Sequence, residues 1–293
     1  MRVLVTGVHG KVGRAARQAL VDRGHEVVGV DLARPDYDGP AYVQADVTDA
    51  GDMFAVIDGV DAVVHTAGIP EPTRNPAHEV FATNVTGTFN VVEACVRSGV
   101  RRLVNLSSDS VTGYTWSGGR IRPTSYPIDE DHPTTPVDPY ALSKLFGEQL
   151  CDAACRRSSL AVVSIRATWV ITPETYAANL GPFLADPALT TAVFWSYLDV
   201  HDLADLVRLA VEADTSGHEV VVAAAADNIG GRDIRAALAE RYPEVHVGTV
   251  ARPDAGGYDL DKARRIFGWA PTRSWRDHLS AGPVAVPPGS HAS

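Results

Sequence analysis

Short runs of apolar, mostly β-branched residues recur along the chain at Val3-Leu4-Val5, Val27-Val28-Gly29-Val30, Ala62-Val63-Val64, Leu103-Val104-Asn105-Leu106, Val162-Val163-Ser164-Ile165 and Val220-Val221-Val222. Their hydrophobicity is continuous, not alternating, which is the pattern of strands covered on both faces. Stretches with helical patterning separate most of them, and strand-helix alternation builds a parallel sheet with helices on each side. The predicted fold class is therefore α/β, a Rossmann-type doubly wound parallel sheet. After residue 166 the rhythm breaks at Thr172-Pro173, Gly181-Pro182 and Asp186-Pro187, which predicts a small C-terminal substrate lobe beside the sheet. This divides the chain into a dinucleotide-binding domain over 1–166, rejoined by 196–223, and a smaller lobe made of 167–195 and 224–293. The tail from Gly282, with Pro283, Pro287, Pro288 and Gly289, has no periodic pattern and is expected to be loosely held.

The first strand runs into Thr6-Gly7-Val8-His9-Gly10-Lys11-Val12-Gly13 and then into the helix-forming Arg14-Ala15-Ala16-Arg17-Gln18-Ala19-Leu20. Gly7 suits a tight turn, Gly10 lets the backbone approach a pyrophosphate, and Gly13 lets helix pack on strand. The N-terminus of that helix would then face phosphates with free N–H groups and the positive end of its dipole. Asp31 closes the second strand. A carboxylate there accepts hydrogen bonds from the adenosine ribose hydroxyls and repels a 2′-phosphate, so the expected cofactor is NAD, with Arg34 the one nearby charge that favours NADP.

A second constellation lies in Asp138-Pro139-Tyr140-Ala141-Leu142-Ser143-Lys144, where Asp138 can cap a helix and Pro139 suits its first position. Tyr140 and Lys144 then share one helix face. A free tyrosine has a pKa of ~10, so a tyrosine acting as a base near neutrality needs roughly 4 kcal/mol of phenolate stabilisation. Lys144 and a nicotinamide cation would supply it.

Composition narrows the partners. The chain has 26 basic and 36 acidic residues, a net charge of −10 and no long basic cluster, which argues for a small-molecule partner and against nucleic acid or an anionic membrane. No apolar run reaches the ~18 residues of a membrane span and no leader is recognisable, so the expected location is cytoplasmic. Of the three cysteines, Cys95, Cys151 and Cys155, the last two fall on one helix face; without His or further Cys at ligand spacing they read as buried thiols, and no metal is expected.

With these motifs in order, the sequence resembles the extended short-chain dehydrogenase/reductase family, which includes nucleotide-sugar epimerases, dehydratases and uronate dehydrogenases. The likeness spans the Thr6-to-Gly13 turn, Asp46-Val47, His65-Thr66-Ala67-Gly68, Asn84-Val85-Thr86-Gly87-Thr88, Leu106-Ser107-Ser108, Tyr140 to Lys144, and Tyr197-Leu198-Asp199-Val200-His201-Asp202. The resemblance implies that Tyr140 is the base, that Ser108 hydrogen-bonds the reacting hydroxyl, and that Lys144 holds the nicotinamide ribose. It further implies adenine contacts at Asp46 and Val47, and dinucleotide contacts at Lys11, Val12, Thr66, Ala67, Gly68, Asn84 and Thr168. A helix-paired homodimer is also implied, with Leu142, Leu145, Phe146 and Leu150 available for the interface or for the buried face of a monomer's helix.

Three departures bear on the substrate. Family dehydratases carry Thr-Asp-Glu where this chain has Ser108-Asp109-Ser110, so the glutamate of water elimination is missing. Epimerases carry Arg-x-x-Asn where this chain has Arg166-Ala167-Thr168-Trp169, and no Lys or Arg occurs between Ala167 and Asp202 to clamp a diphosphate. The loop from Ser108 to Tyr114 is similar to that of uronate dehydrogenases, yet it lacks their Asn-His and their carboxylate-binding arginine. Candidate substrate contacts are Asp109, Ser110, Trp169 and Arg252, with Arg232 a further arginine, each of the two arginines reading more readily as exposed surface charge than as a phosphate contact. Trp169, Tyr176, Phe183, Phe194 and Trp195 form either a sugar-stacking wall or core. The leading expectation is NAD-dependent oxidation or reduction of a sugar-like secondary alcohol; the alternatives are an NAD-retaining sugar 4-epimerase and a non-catalytic NAD-binding sensor or scaffold.

Overall fold

A computed structural model describes residues 1–33, 41–186, 189 and 194–279 of the chain. Arg34, Pro187 and the tail from Gly282 lie outside the described residues.

The chain opens with β1 (Arg2–Thr6), α1 (Lys11–Asp22), β2 (Glu26–Asp31), β3 (Tyr42–Gln44), α2 (Ala50–Ile57), β4 (Ala62–His65), α3 (Ala77–Arg97) and β5 (Arg102–Ser108). It continues through β6 (Ser125–Tyr126), α4 (Pro139–Arg157), β7 (Ala161–Ala167), β8 (Val170–Ile171), α5 (Tyr176–Ala185), β9 (Leu198–Asp199), α6 (Val200–Glu212) and β10 (His218–Ala223). The last elements are α7 (Ile234–Arg241), β11 (His246–Val247) and α8 (Asp261–Phe267).

Seven strands form one parallel sheet in the order β10-β7-β5-β4-β1-β2-β3. The continuous apolar runs follow from burial on both faces. Val3 and Val5 of β1 point into a core shared with Ala16 and Leu20 of α1 and Leu203, Leu206 and Val207 of α6. Leu4 between them points to the opposite core, with Met53 of α2, Val91 and Cys95 of α3, and Cys151 and Ala154 of α4. Successive side chains of a strand alternate faces, so both layers need apolar residues.

The order of strands reverses at β1, which is hydrogen-bonded to β2 on one side and β4 on the other. In a doubly wound sheet this reversal opens a crevice at the carboxyl ends of the strands, where ligands bind. The pairs β8/β9 and β6/β11 are small separate parallel sheets, while α6 and β10 return the chain to the main sheet.

The Tyr197-to-Asp202 motif is used in holding this return together. Asp199 caps α6 by accepting from the His201 N–H at 2.7 Å and also accepts from the Tyr176 hydroxyl at 2.9 Å. Asp202 accepts from Thr272 and from Arg273, which ties the segment after α8 to α6. Among the described residues no helix is long and apolar enough to cross a membrane, and no group of three or more His, Cys, Asp or Glu gathers to hold a metal. The three cysteines are free thiols.

Candidate active site

The glycine turn is shaped by close backbone approach. Gly7 has φ 69°, and a Cβ there would lie 2.7 Å from Ala67 N and Cα; at Gly13 a Cβ would lie 2.1 Å from the Gly7 carbonyl oxygen. Any side chain at either position forces β1, α1 and the strand-end loop of β4 apart. Gly10 is the N-cap of α1 and offers no side-chain cap, so the first-turn N–H groups of this helix are left for an anion.

Beside the turn, a groove of about 260 Å³ is lined by Gly7, Gly10, Asp31, Leu32, Asp46, Val47, Thr66, Ala67, Gly68 and Ile69, among others. Asp31 is held by backbone donors on both oxygens, the His9 N–H at 2.9 Å and the Leu32 N–H at 2.9 Å, leaving lone pairs for a diol. Asp46 accepts from the Thr48 N–H and hydroxyl, each at 2.8 Å. Uncapped amides for a pyrophosphate, an acid at the end of β2 and a glycine-lined groove are the donor set that NAD requires, and the residues fit it.

A second cavity, of about 430 Å³, continues from Lys11 and Val12 past the ends of β5 and β7. Its lining includes Ser108, Asp109, Ser110, Tyr140, Thr168 and Trp169 of the expected residues. Sequence reasoning missed Pro70, Thr115, Trp116 and Val170, which lie in loops or short strands without a periodic signal.

Tyr140 stands on the first turn of α4, whose start is fixed by the Asp138 side chain accepting from the Ala141 N–H at 2.9 Å, with Pro139 at the first position. Burial pushes the Tyr140 phenol up to about 12; a hydrogen bond with Ser108 pulls the other way, and the charges of Asp109 and Asp138 add to the rise. Lys144, one turn on, donates to the Leu106 carbonyl at 2.9 Å, with its ammonium 5.7 Å from the Tyr140 ring centroid. Burial lowers its pKa to about 8. Ser108 donates to Asp109 at 3.2 Å, and Asp109 also accepts from the Tyr258 hydroxyl at 2.9 Å. Burial lifts Asp109 to about 6 against the lowering effect of those hydrogen bonds.

Behind the site, Ser107 donates to Glu148 at 2.6 Å and Arg166 grips the same carboxylate through two bonds of 2.9 Å. His65, bridging Thr6 at 2.8 Å and Thr88 at 3.1 Å, is held neutral: burial, with the nearby Lys144 charge, depresses it to about 3.

Several expected residues lie elsewhere. Asn84 lines neither cavity; its amide is engaged with both backbone groups of Ile69 and with Ser143, which fixes the Gly68-Ile69 loop from behind. Arg252 is exposed and paired with Asp254 through bonds of 2.5 and 3.0 Å, away from the cavity. Arg232 places its guanidinium 5.5 Å from the Trp195 ring. The five aromatics divide: Trp169 and Phe183 line the cavity as an edge-to-face pair 5.9 Å apart, whereas Tyr176, Phe194 and Trp195 are buried in the core.

A parallel sheet with a glycine-rich phosphate turn, an acidic residue for ribose, and Ser, Tyr and Lys at its carboxyl edge define an NAD-dependent enzyme. The chain belongs to the NAD dependent epimerase/dehydratase family, whose model matches residues 3–224. It is 28% identical over 223 residues to a uronate dehydrogenase of Pseudomonas syringae pv. tomato, covering 75% of this chain and 73% of that protein. It is 30% identical over 217 residues to the L-arabinose 1-dehydrogenase (NAD(P)(+)) of Haloferax volcanii, covering 72% and 83%. Among solved structures, a short-chain dehydrogenase/reductase superfamily protein from Agrobacterium tumefaciens with bound NAD superposes with a TM-score of 0.71 at 25% identity, over 95% of each chain.

Proposed function

We propose that this protein is an NAD-dependent dehydrogenase acting on a sugar-like secondary alcohol, with Tyr140 as base, Ser108 as hydroxyl anchor and Lys144 as the cation beside them. The observation that carries the reading is the convergence of Ser108 and Tyr140 on one cavity wall, next to a groove suited to a dinucleotide. Bound NAD supplies the two-electron acceptor. Ser108 hydrogen-bonds the substrate hydroxyl through its own and so orients it, and the Tyr140 phenolate takes the substrate's proton. Lys144 stabilises the phenolate by charge and holds a ribose hydroxyl. A fixed oxygen at hydrogen-bonding distance from its base is worth orders of magnitude in rate.

Residues 167–195 and 224–293 are assigned to substrate binding, with Trp169 and Phe183 as a face for a sugar ring. The relatives' names, a uronate dehydrogenase and an arabinose dehydrogenase, support a free sugar or sugar acid over a nucleotide sugar. Lys11 is the only cationic side chain among the described residues of the larger cavity's lining, which disfavours an epimerase that must clamp a diphosphate. Exposed Phe89, Leu142 and Phe146 on α3 and α4 support a homodimer through those helices, and three free thiols suit the reducing cytoplasm.

The test is cofactor released on denaturation, followed by net NADH formation with a panel of sugars and uronates. Cofactor-free protein forming NADH, with Tyr140→Phe inactive but still binding NAD, supports the dehydrogenase. Stoichiometric retained NAD without net NADH shifts the assignment to an epimerase. Activity that survives Tyr140→Phe overturns the mechanism.

A further inference from the structure

We propose that the cavity beside Tyr140 takes an uncharged, hydroxyl-bearing substrate, and that Asp109 is the specificity-determining residue that turns anionic substrates away. The inference rests on the reading of this cavity as the substrate site.

Asp109 is 5% exposed and forms part of the cavity lining directly after Ser108. No salt bridge is formed by Asp109 among the described residues; both its oxygens are satisfied by neutral hydroxyls, Ser108 on one and Tyr258 on the other. Hydroxyl donors stabilise a carboxylate without cancelling its charge, so the wall that anchors the reacting oxygen carries a fixed negative charge. Its pKa of about 6 leaves it ionised at neutral pH and above. A substrate carboxylate or phosphate within about 6 Å of it, in a partly desolvated cleft, loses on the order of 100-fold in affinity relative to a neutral group.

The same cavity has the opposite disposition toward neutral hydroxyls. Ser110, Thr115 and Thr168 belong to its lining, and their hydroxyl oxygens are buried with no hydrogen-bond partner among the described residues. A buried hydroxyl left unpaired is costly, and each of these can both donate and accept, so each matches a substrate hydroxyl. The one cation among the described residues of the lining, Lys11, stands at the start of α1 and donates to the Val170 carbonyl at 2.7 Å.

The test uses the full chain loaded with NADH and matched probes that differ in one carboxylate: D-galactose against D-galacturonate, and D-glucose against D-glucuronate. Binding is read by the change in nicotinamide fluorescence. Each neutral sugar is expected to bind at least about 10-fold more tightly than its uronate. Asp109→Asn, which keeps the shape and requires one of the two hydroxyls to turn from donor to acceptor, is expected to bring the ratio toward one by improving uronate binding. Thr115→Ala should weaken the neutral sugar while leaving the effect of charge intact. A uronate that binds as well as its neutral partner, a ratio unmoved by Asp109→Asn, or no binding of either member overturns the proposal. NADH formed from uronates in preference to neutral sugars sinks this inference and leaves the dehydrogenase assignment standing. Retained NAD without net turnover sinks that assignment, while the binding ratio still reports on Asp109.

Discussion

The ammonium of Lys144 donates to the Leu106 carbonyl and lies under the ring of Tyr140, 5.7 Å from its centroid. Lys144 is thus placed to act on Tyr140 through charge, from a position fixed by the β5 backbone. The demand on it is large. A phenol at about 12 needs about five pKa units, roughly 7 kcal/mol, to act as a base near pH 7, more than the ~4 kcal/mol that an unperturbed tyrosine requires. Burial and the charges of Asp109 and Asp138 account for the difference, so cations must offset them.

Lys144→Met is therefore expected to lower kcat for alcohol oxidation by at least about 100-fold and to move the acid limb of its pH profile upward. The check is the pH dependence of kcat together with ultraviolet titration of phenolate in the NAD complex. A variant whose acid limb stays in place would show that Lys144 serves cofactor binding alone.

The buried Glu148–Arg166 pair joins α4, which carries Tyr140, to β7. Removing one partner strands a charge in the core, so Arg166→Met is expected to cost about 3–5 kcal/mol in urea unfolding, while replacing both partners with apolar residues recovers most of the loss. Because Ser107 shares the Glu148 carboxylate, the single variant should also displace the neighbouring Ser108 and lower kcat. Equal stability of the single variant and the wild type would contradict this account.

Two buried groups give the acid limb of stability opposite slopes. His65 titrates at about 3 when folded against 6.5 when unfolded, so between those values the unfolded chain binds the extra proton. Its contribution is complete above pH 6.5 and is lost as pH falls toward 3, amounting to about 2 kcal/mol by pH 5. Asp109 titrates at about 6 against 3.8, so the folded chain binds the extra proton; that contribution is complete below 3.8 and is lost as pH rises through 6, about 3 kcal/mol in all. In unfolding experiments across pH 4–8, His65→Gln should flatten the acid loss. Asp109→Asn should be more stable than the wild type at pH 8, with the advantage shrinking toward pH 4.

Much of this architecture is legible in the sequence, for local reasons. The core strands show as unbroken apolar runs because each contributes to two hydrophobic layers, as Leu4 and its neighbours Val3 and Val5 do. The α4 start is readable because Asp138, Pro139 and Tyr140 act within one turn. β3 shows no apolar run because it is a partly exposed edge strand of three residues. Asp109 and Tyr258 are 149 positions apart, and nothing local to either announces the bond between them. The aromatic residues after β7 look alike in sequence, yet Trp169 and Phe183 face the cavity while Phe194 and Trp195 fill the core, since chain reversal and not spacing decides which way they point. Asn84 belongs to a recognisable motif, but the bonds of its amide to Ile69, 15 positions away, have no local signal.

The dinucleotide groove makes the last prediction, which separates charge from shape. Asp31 presents a carboxylate at the end of β2 with one backbone donor on each oxygen, a geometry that accepts two further hydroxyls and repels a phosphate. Asp31→Ser removes the charge and the second acceptor, so NAD affinity should fall by about 10-fold while NADP affinity rises, narrowing the preference from both directions. Gly13→Ala acts differently: its Cβ would meet the Gly7 carbonyl at 2.1 Å, so the turn must open and both dinucleotides should lose affinity together, with a lower Tm. Titration of each variant with NADH and NADPH by fluorescence distinguishes the two effects. If Asp31→Ser weakened both cofactors equally, the carboxylate would be bracing the His9 and Leu32 loops and not reading the ribose.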